Sequence, residues 1–183
     1  SRLLKPGAYF TQSGNASGKV SALAVKDQAD WANNPAKYVA FTTPNAIYQG
    51  YRSYQLPPDI AVSALTGLHI EVNYRGAVKS SQMWSWSLYD WQKKVWVKVG
   101  DNARARANVW TLFHFDVTNP ARFIGTGGKI RLQLRSNKAS GNAKLDYEAI
   151  TPAYDIGAPP IPSDGKIPSP PAGSLYHSVY PGG

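Results

Sequence analysis

Apolar and polar side chains alternate with a period of two through most of residues 1–150, and this pattern limits the fold more than any other feature of the sequence. In the clearest segment the apolar residues are Leu68, Ile70, Val72 and Tyr74, and a polar residue follows each of them. The same alternation runs through residues 84–88, 95–99, 113–117 and 130–134. Successive side chains of a strand point to opposite faces of a sheet, so each segment is predicted to be a half-buried antiparallel strand.

Weaker strand patterns occur at residues 9–13, 37–42, 49–56 and 143–150, and turn-forming residues separate the segments. No stretch shows a convincing helical spacing of apolar residues. Short strands at such intervals are typical of sandwiches and jelly rolls. The sequence therefore predicts an all-β fold, an antiparallel β-sandwich or jelly roll of about eight to ten strands.

Composition favours an extracellular β-protein. Charged residues make up only 17% of the 183 residues, below the usual ~25%, whereas aromatic residues reach 12%. The absence of cysteine excludes disulfide scaffolds, zinc–thiolate sites and cysteine nucleophiles. No stretch approaches the ~20 apolar residues of a membrane span. We therefore expect a secreted protein that does not enter a membrane.

The net charge is +9, and residues 1–150 hold nineteen of the twenty basic residues and nine of the eleven acidic ones. The excess thus belongs to the predicted sandwich and not to a basic tail. One interpretation is a basic surface domain that binds an anionic polymer or nucleic acid. The other is that lysines keep a β-protein soluble and its edge strands unpaired, and this second interpretation makes nucleic acid the less favoured partner.

A change in composition near residue 151 predicts the domain organisation. Eight of the fourteen prolines lie between residue 152 and the end of the chain. Residues 1–151 are therefore predicted to form the sandwich, and residues 152–174 a proline-rich linker. Residues 175–183 regain apolar side chains and are interpreted as the truncated start of a following domain.

The residue types that carry catalysis are sparse and scattered. His69 and His114 are interpreted as solvated strand residues, and no pair of histidines has metal-ligand spacing, so no metal site is predicted. The chain has only two glutamates, Glu71 and Glu148; a pair such as Glu71 with Asp116 is conceivable for a glycosidase, but nothing marks it. The sequence therefore predicts no catalysis by this domain.

A small polysaccharide-active catalytic domain remains the alternative. A lyase would need Tyr74, one of the two strand histidines, and Arg75 or Arg131 to converge on one face.

Aromatic and guanidinium groups offer a binding site instead. The ring faces of tyrosine and tryptophan match the C–H patches of pyranose sugars, and arginine can bond vicinal hydroxyls or a uronate carboxylate. Trp31 and Trp91 lie in polar loops, where each ring could be exposed or could cap the sandwich end. Strand periodicity instead places Trp84, Trp86 and Trp110 in or near the core. The candidate carbohydrate-binding residues are Trp31, Tyr51, Arg75, Trp91 and Arg135.

Several segments together resemble a known class of module: LHIEVNYRG (68–76), WSWSLYDW (84–91), WVKVG (96–100), WTLFHF (110–115), IRLQLR (130–135) and LDYEAI (145–150). This pattern resembles the non-catalytic, carbohydrate-binding β-sandwich modules of bacterial secreted glycoside hydrolases. The resemblance implies the galactose-binding-like jelly-roll form of that class. The tail LYHSVYPGG (175–183) looks like the opening strand of a mannanase-like family twenty-six catalytic barrel.

The resemblance implies a monomeric module that targets a linked secreted glycoside hydrolase to polysaccharide. Modules of this class often hold a structural calcium ion, although no cluster of acidic residues with the usual spacing is evident here. The only pairing that the sequence suggests for calcium is Asp146 with an acid of the loop at residues 27–30. No other cofactor is implied.

Overall fold

The computed structural model describes residues 2–156, which form ten β-strands and four short 3-10 helices. The strands are β1 (Ala8–Ser13), β2 (Asn15–Ser17), β3 (Val39–Thr42), β4 (Gln49–Gln55), β5 (Leu65–Gly76), β6 (Trp84–Asp90), β7 (Val95–Asp101), β8 (Thr111–Thr118), β9 (Lys129–Ser136) and β10 (Asn142–Tyr154). The 3-10 helices are Val20–Ala24, Pro35–Lys37, Val62–Ala64 and Pro120–Phe123.

The strands form two five-stranded antiparallel sheets. The front sheet has the order β1-β4-β9-β6-β7, and the back sheet has the order β2-β3-β10-β5-β8. The chain crosses between the sheets repeatedly, because neighbours in sequence such as β4 and β5 belong to different sheets. The predicted all-β antiparallel sandwich is confirmed.

The inward residues of both sheets form one core. Apolar residues at alternate positions of β5, β6 and β9 are almost completely buried, as the period of two predicted. Trp84, Trp86 and Trp110 are buried too, which confirms their predicted place in or near the core. The short strand β2 was not predicted, because its sequence Asn-Ala-Ser carries no alternating pattern.

Val95 departs from the predicted pattern, since its side chain is 48% exposed. It begins β7, which lies at the edge of the front sheet, and a register shift between Trp86 and Ser87 interrupts the pairing of β6 with β7. Val97 and Val99 still pack against the core. The alternation therefore identified the strand correctly but overstated the burial of its first residue.

The back sheet continues beyond the predicted end of the domain. β10 extends to Tyr154, and Pro152 lies opposite Leu68 of β5. Three residues of this strand thus belong to the segment that the sequence assigned to the linker, because proline content was given more weight than strand pairing. The predicted linker beyond residue 156 and the predicted start of a following domain at 175–183 lie outside the described residues.

A buried ion pair joins the two sheets inside the core. Arg52 of β4 donates from Nε to Glu148 Oε1 of β10 at 2.8 Å, and a second bond joins Arg52 Nη2 to Glu148 Oε2. Both side chains are 0% exposed. Tyr54 donates its hydroxyl to Glu148 Oε1 at 2.7 Å, and Trp86 donates its indole N–H to Oε2 at 3.3 Å. Burial also raises the pKa of Tyr54 well above its usual value, which keeps its hydroxyl proton available as a donor.

Removing one partner of this pair should be costly, because the other charge would stay buried without compensation. We expect Glu148→Gln to lower the free energy of unfolding by about 3–5 kcal/mol. Urea denaturation measures the change, and Asp59→Asn, which breaks only an exposed ion pair with Arg2, serves as the matched control with a loss below about 1 kcal/mol. Equal losses in the two variants would contradict the structural importance of the buried pair.

Candidate functional site

Five aromatic side chains form a continuous surface on the outer side of the front sheet. We call this surface the aromatic face; its members are Phe10, Tyr51, Tyr89, Trp91 and Trp96. Strand pairing places Phe10 opposite Tyr51 across β1 and β4, and Tyr89 opposite Trp96 across β6 and β7. Trp91 follows β6 in the hairpin turn. The face therefore follows from the register of the strands.

The rings lie close enough to act as one platform. The ring centroids of Phe10 and Tyr51 are 5.0 Å apart, and those of Tyr51 and Trp96 are 5.9 Å apart. Tyr89 lies 5.1 Å from Trp96 and 5.0 Å from Trp91, with edge-on packing in both pairs. Phe10 is 48% exposed, and the other four rings are half-buried. The face thus combines fixed ring positions with solvent access.

Arg131 of β9 lies among these rings. Its guanidinium carbon is 4.9 Å from the centroid of Tyr51, 4.8 Å from that of Trp91 and 6.0 Å from that of Tyr89. Contacts of this kind hold a cation over aromatic faces. Its N–H groups thus lie beside the rings of the aromatic face. Arg131 can therefore present N–H donors to a ligand that lies on the rings.

A groove borders the aromatic face. Its volume is about 330 Å³, and its lining includes Lys5, Phe10, Tyr51, Lys129 and Arg131. Apolar ring surface and three basic side chains thus line the same concave region. Such a combination suits a ligand that offers both apolar patches and polar groups.

The five residues predicted from the sequence to bind carbohydrate lie in two separate parts of the structure. Tyr51 and Trp91 belong to the aromatic face, and Arg135 is exposed on β9, four residues beyond Arg131. Trp31 and Arg75 lie together elsewhere, since the Arg75 guanidinium donates to the carbonyl oxygen of Ala32 at 2.8 Å.

Trp31 and Arg75 form a second exposed feature, which we call the loop group. Trp31 is 69% exposed, while Trp110 donates its indole N–H to the Ala32 carbonyl oxygen at 2.7 Å and so anchors the loop. Arg75 also lines a cavity of about 430 Å³ together with Asn108 and Lys144. Of the two tryptophans predicted in loops, Trp31 is the exposed one, and Trp91 is half-buried against Arg131.

Sequence reasoning missed four residues of this region: Phe10, Tyr89, Trp96 and Arg131. A signal for two of them was present in the alternation itself. Tyr89 and Trp96 are out of phase with the apolar residues of their strands, so strand geometry directs them away from the core. The sequence prediction considered exposed rings only in loops and next to arginine, so it omitted rings on the outer side of a strand.

The pairing suggested for calcium has a different role in the structure. Asp146 is the extra residue of a bulge in β10, and its Oδ2 accepts the backbone N–H groups of Asp27 and Gln28 at 3.1 and 3.0 Å. The side-chain amide of Asn73 also donates to this oxygen, at 2.8 Å. A calcium ion needs six to eight oxygen ligands. A carboxylate surrounded by N–H donors does not fit that requirement.

The groups named for a lyase do not converge on one face. Tyr74 is completely buried in the core, so it cannot share an outer face with either histidine. Arg131 lies on the outer side of the front sheet, whereas His69 and His114 lie on β5 and β8 of the back sheet. The particular catalytic arrangement considered from sequence is therefore not assembled.

The two five-stranded sheets form a β-sandwich, and the front sheet carries the aromatic face on its outer side. Residues 23–147 match the family of N-terminal glycosyl-hydrolase-114-associated domains, and the chain belongs to this family. The association with a glycoside hydrolase agrees with the resemblance seen in the sequence, but the family is named for hydrolase family 114 and not for family twenty-six. No curated protein matches the chain.

Solved structures with similar folds include carbohydrate-binding modules. The CBM22-1 xylan-binding domain of Paenibacillus barcinonensis Xyn10C is 12% identical, with a TM-score of 0.47, and the match covers 83% of this chain and 90% of that one. A family 29 carbohydrate-binding module from Piromyces equi is 11% identical, with a TM-score of 0.42 and coverage of 79% and 80%. TmCBM61 in complex with β-1,4-galactotriose is 9% identical, with a TM-score of 0.44 and coverage of 81% and 91%.

Across residues 2–156, no helix has the length and apolar character that crossing a membrane requires.

Titration of Asp146 gives a testable pH dependence. Burial raises the pKa of this carboxyl from its ordinary 3.8 to about 6, against the opposing effect of the hydrogen bond from Asn73. Between about pH 4 and pH 6 the folded chain therefore keeps a proton that the unfolded chain has released. The contribution of this group to stability is complete below that interval and is lost as the pH rises through it.

We expect the free energy of unfolding of the wild type, relative to Asp146→Asn, to decrease between pH 4 and pH 6 and to be constant above pH 7. Urea denaturation of both proteins at a series of pH values measures this difference. A relative stability that increases over the same interval would show that the pKa of Asp146 is lowered in the folded protein.

Proposed function

We propose that this domain is a non-catalytic carbohydrate-binding module, and that it holds a linked secreted glycoside hydrolase on polysaccharide. The observation that carries the proposal is the aromatic face, where five rings and Arg131 form one accessible surface. Membership of a glycosyl-hydrolase-associated family supports the link to an enzyme.

The chemistry of the face fits a chain of sugars. Pyranose rings present C–H patches that pack on aromatic faces, and contacts with an aromatic ring contribute roughly 0.5–1.5 kcal/mol beyond area burial. Tyr51 and Trp96 lie side by side across the sheet, so neighbouring sugars of one chain can contact different rings. Arg131, whose guanidinium lies over the Tyr51 ring, supplies N–H donors for hydroxyl or carboxylate oxygens. The face thus recognises sugar without any catalytic group.

Basic residues near the rings extend the proposal to anionic sugars. Lys5, Lys129 and Arg131 line the groove beside Phe10 and Tyr51. A uronate or another acidic sugar would therefore gain from charge as well as from stacking. The same groups also favour the alternative function, a basic surface that binds an anionic polymer such as nucleic acid. Dependence on salt separates these cases, because the screening length at ~0.5 M salt is only a few ångströms.

The organisation of the chain supports a targeting role. A proline-rich tether after the sandwich would keep a following hydrolase close to bound polysaccharide, which raises its effective substrate concentration. We infer that the module acts outside the cell as a monomer and that the hydrolase domain alone performs the chemistry. A panel of polysaccharides incubated with the purified chain should accordingly yield no reducing sugar, and release of reducing sugar would refute this part of the proposal.

The aromatic face can be tested by single substitutions. We expect Tyr51→Ala and Trp96→Ala each to weaken binding to polysaccharide by about three- to tenfold, because each removes one stacking contact. Affinity electrophoresis against neutral and anionic polysaccharides measures retention. Trp31→Ala removes an exposed ring in the separate loop group and is the matched control, so its retention should equal that of the wild type.

Thermal unfolding shows whether the variants remain folded, and half-buried rings on the outer side of a sheet should shift the melting temperature by only a few degrees. Loss of retention in Trp31→Ala alone would place the site at the loop group. Retention that disappears at ~0.5 M salt, together with DNA binding of steep salt dependence, would favour the anionic-polymer function.

A further inference from the structure

Four polar side chains meet on the outer side of the back sheet, opposite the aromatic face. They belong to β5 and β8, where strand pairing puts His69 directly opposite Asp116 and Glu71 directly opposite His114. Because Leu68, Ile70 and Val72 of β5 point into the core, the residues between them point outward. Two neighbouring cross-strand pairs thus bring two imidazoles and two carboxylates together.

The distances within this cluster are short. His69 Nδ1 lies 2.6 Å from Asp116 Oδ1, and His69 Nε2 lies 3.2 Å from His114 Nδ1. The two imidazole rings are stacked with centroids 5.3 Å apart. One ligand atom from each of His69, Glu71 and His114 can be chosen so that all three lie within 4.8 Å of one another.

Asp116 determines which nitrogen of His69 is free to bind. With Nδ1–H donating to the carboxylate, the lone pair of His69 is on Nε2, which faces His114. A carboxylate that accepts from the distal N–H is the usual partner of a metal-binding histidine, since it orients the ring and raises its basicity. This contact distinguishes the cluster from two surface histidines that happen to touch.

The spacing of the nitrogen atoms fits a tetrahedral zinc site. With Zn–N bonds of about 2.0–2.1 Å, two nitrogen ligands at a tetrahedral angle lie roughly 3.3 Å apart. His69 Nε2 and His114 Nδ1 are 3.2 Å apart. Glu71 offers the third ligand, and Lys26, whose Nζ is 3.8 Å from Glu71 Oε1, is half exposed and can turn away. Solvent or a ligand oxygen can then fill the fourth position.

We propose that His69, His114 and Glu71 bind a divalent transition-metal ion, with Zn²⁺ as the best fit, and that Asp116 positions His69. Two imidazoles and one carboxylate match zinc and its neighbours in the first transition row, whereas Ca²⁺ and Mg²⁺ prefer sites made of oxygen alone. The site lies on the opposite sheet from the aromatic face and does not depend on the proposed function.

Such an ion would connect an edge strand to the sheet. Within residues 2–156, β8 is the last strand of the back sheet and pairs with β5 alone, so His114 binds from the edge while His69 and Glu71 bind from the neighbouring strand. An ion that binds only the folded chain stabilises it in proportion to ligand concentration. Metal binding should therefore be visible in thermal unfolding as well as in direct titration.

Titration of the untagged full chain with ZnCl₂ tests the proposal. We expect saturable binding of one zinc ion per chain by isothermal calorimetry, and a melting temperature that rises with zinc, whereas MgCl₂ and CaCl₂ leave it unchanged. His69→Ala and His114→Ala should each weaken zinc binding by at least tenfold. Asp116→Asn should weaken it by about 10–100-fold, as expected for a group that positions a ligand.

Asp59→Asn supplies the matched control, because it removes a carboxylate that pairs with Arg2 and lies outside the cluster. Zinc binding should be unchanged in this variant. Melting temperatures of all variants in a chelator should match that of the wild type, which separates loss of ligand from loss of fold. The proposal is overturned if zinc fails to saturate, or if binding persists in the His69→Ala/His114→Ala double variant.

Discussion

The ion pair between Arg52 and Glu148 is the constraint on which the rest of the structure depends. Both charges are completely buried, so each requires the other, and they belong to different sheets. Tyr54 and Trp86 donate to the same carboxylate and complete its hydrogen bonds. The pair therefore favours one relative position of the two sheets, because a shift would leave both buried charges unpaired.

That position determines what each sheet presents to solvent. With Arg52 and Tyr54 directed inward, Tyr51 of the same strand must point outward. The front sheet consequently carries rings and Arg131 on its outer side, and the back sheet carries imidazoles and carboxylates. One shared core thus supports two surfaces with different chemistry: an aromatic surface suited to sugar, and a cluster of nitrogen and oxygen ligands suited to a metal ion.

The sequence predicted the sandwich because β5, β6 and β9 alternate cleanly, and alternation reports which side of a strand is buried. It could not predict the buried ion pair, since Arg52 and Glu148 are polar and a pattern of hydrophobicity places them outside. The outward position of Tyr89 and Trp96 could be predicted, because each alternates with the apolar residues of its strand. The contact of His69 with His114 was not recognisable, because 45 residues separate them and only the pairing of β5 with β8 brings them together.

The central claim is that polysaccharide binds on the aromatic face. Indole N–H signals in an NMR titration test it most directly, because the chain has six tryptophans in distinct places. The ligand would be an oligosaccharide of the polysaccharide that the protein retains most strongly. We predict that the signals of Trp91 and Trp96 shift on binding, while that of Trp31 does not. Shifts at Trp31 without shifts at Trp91 and Trp96 would contradict the claim.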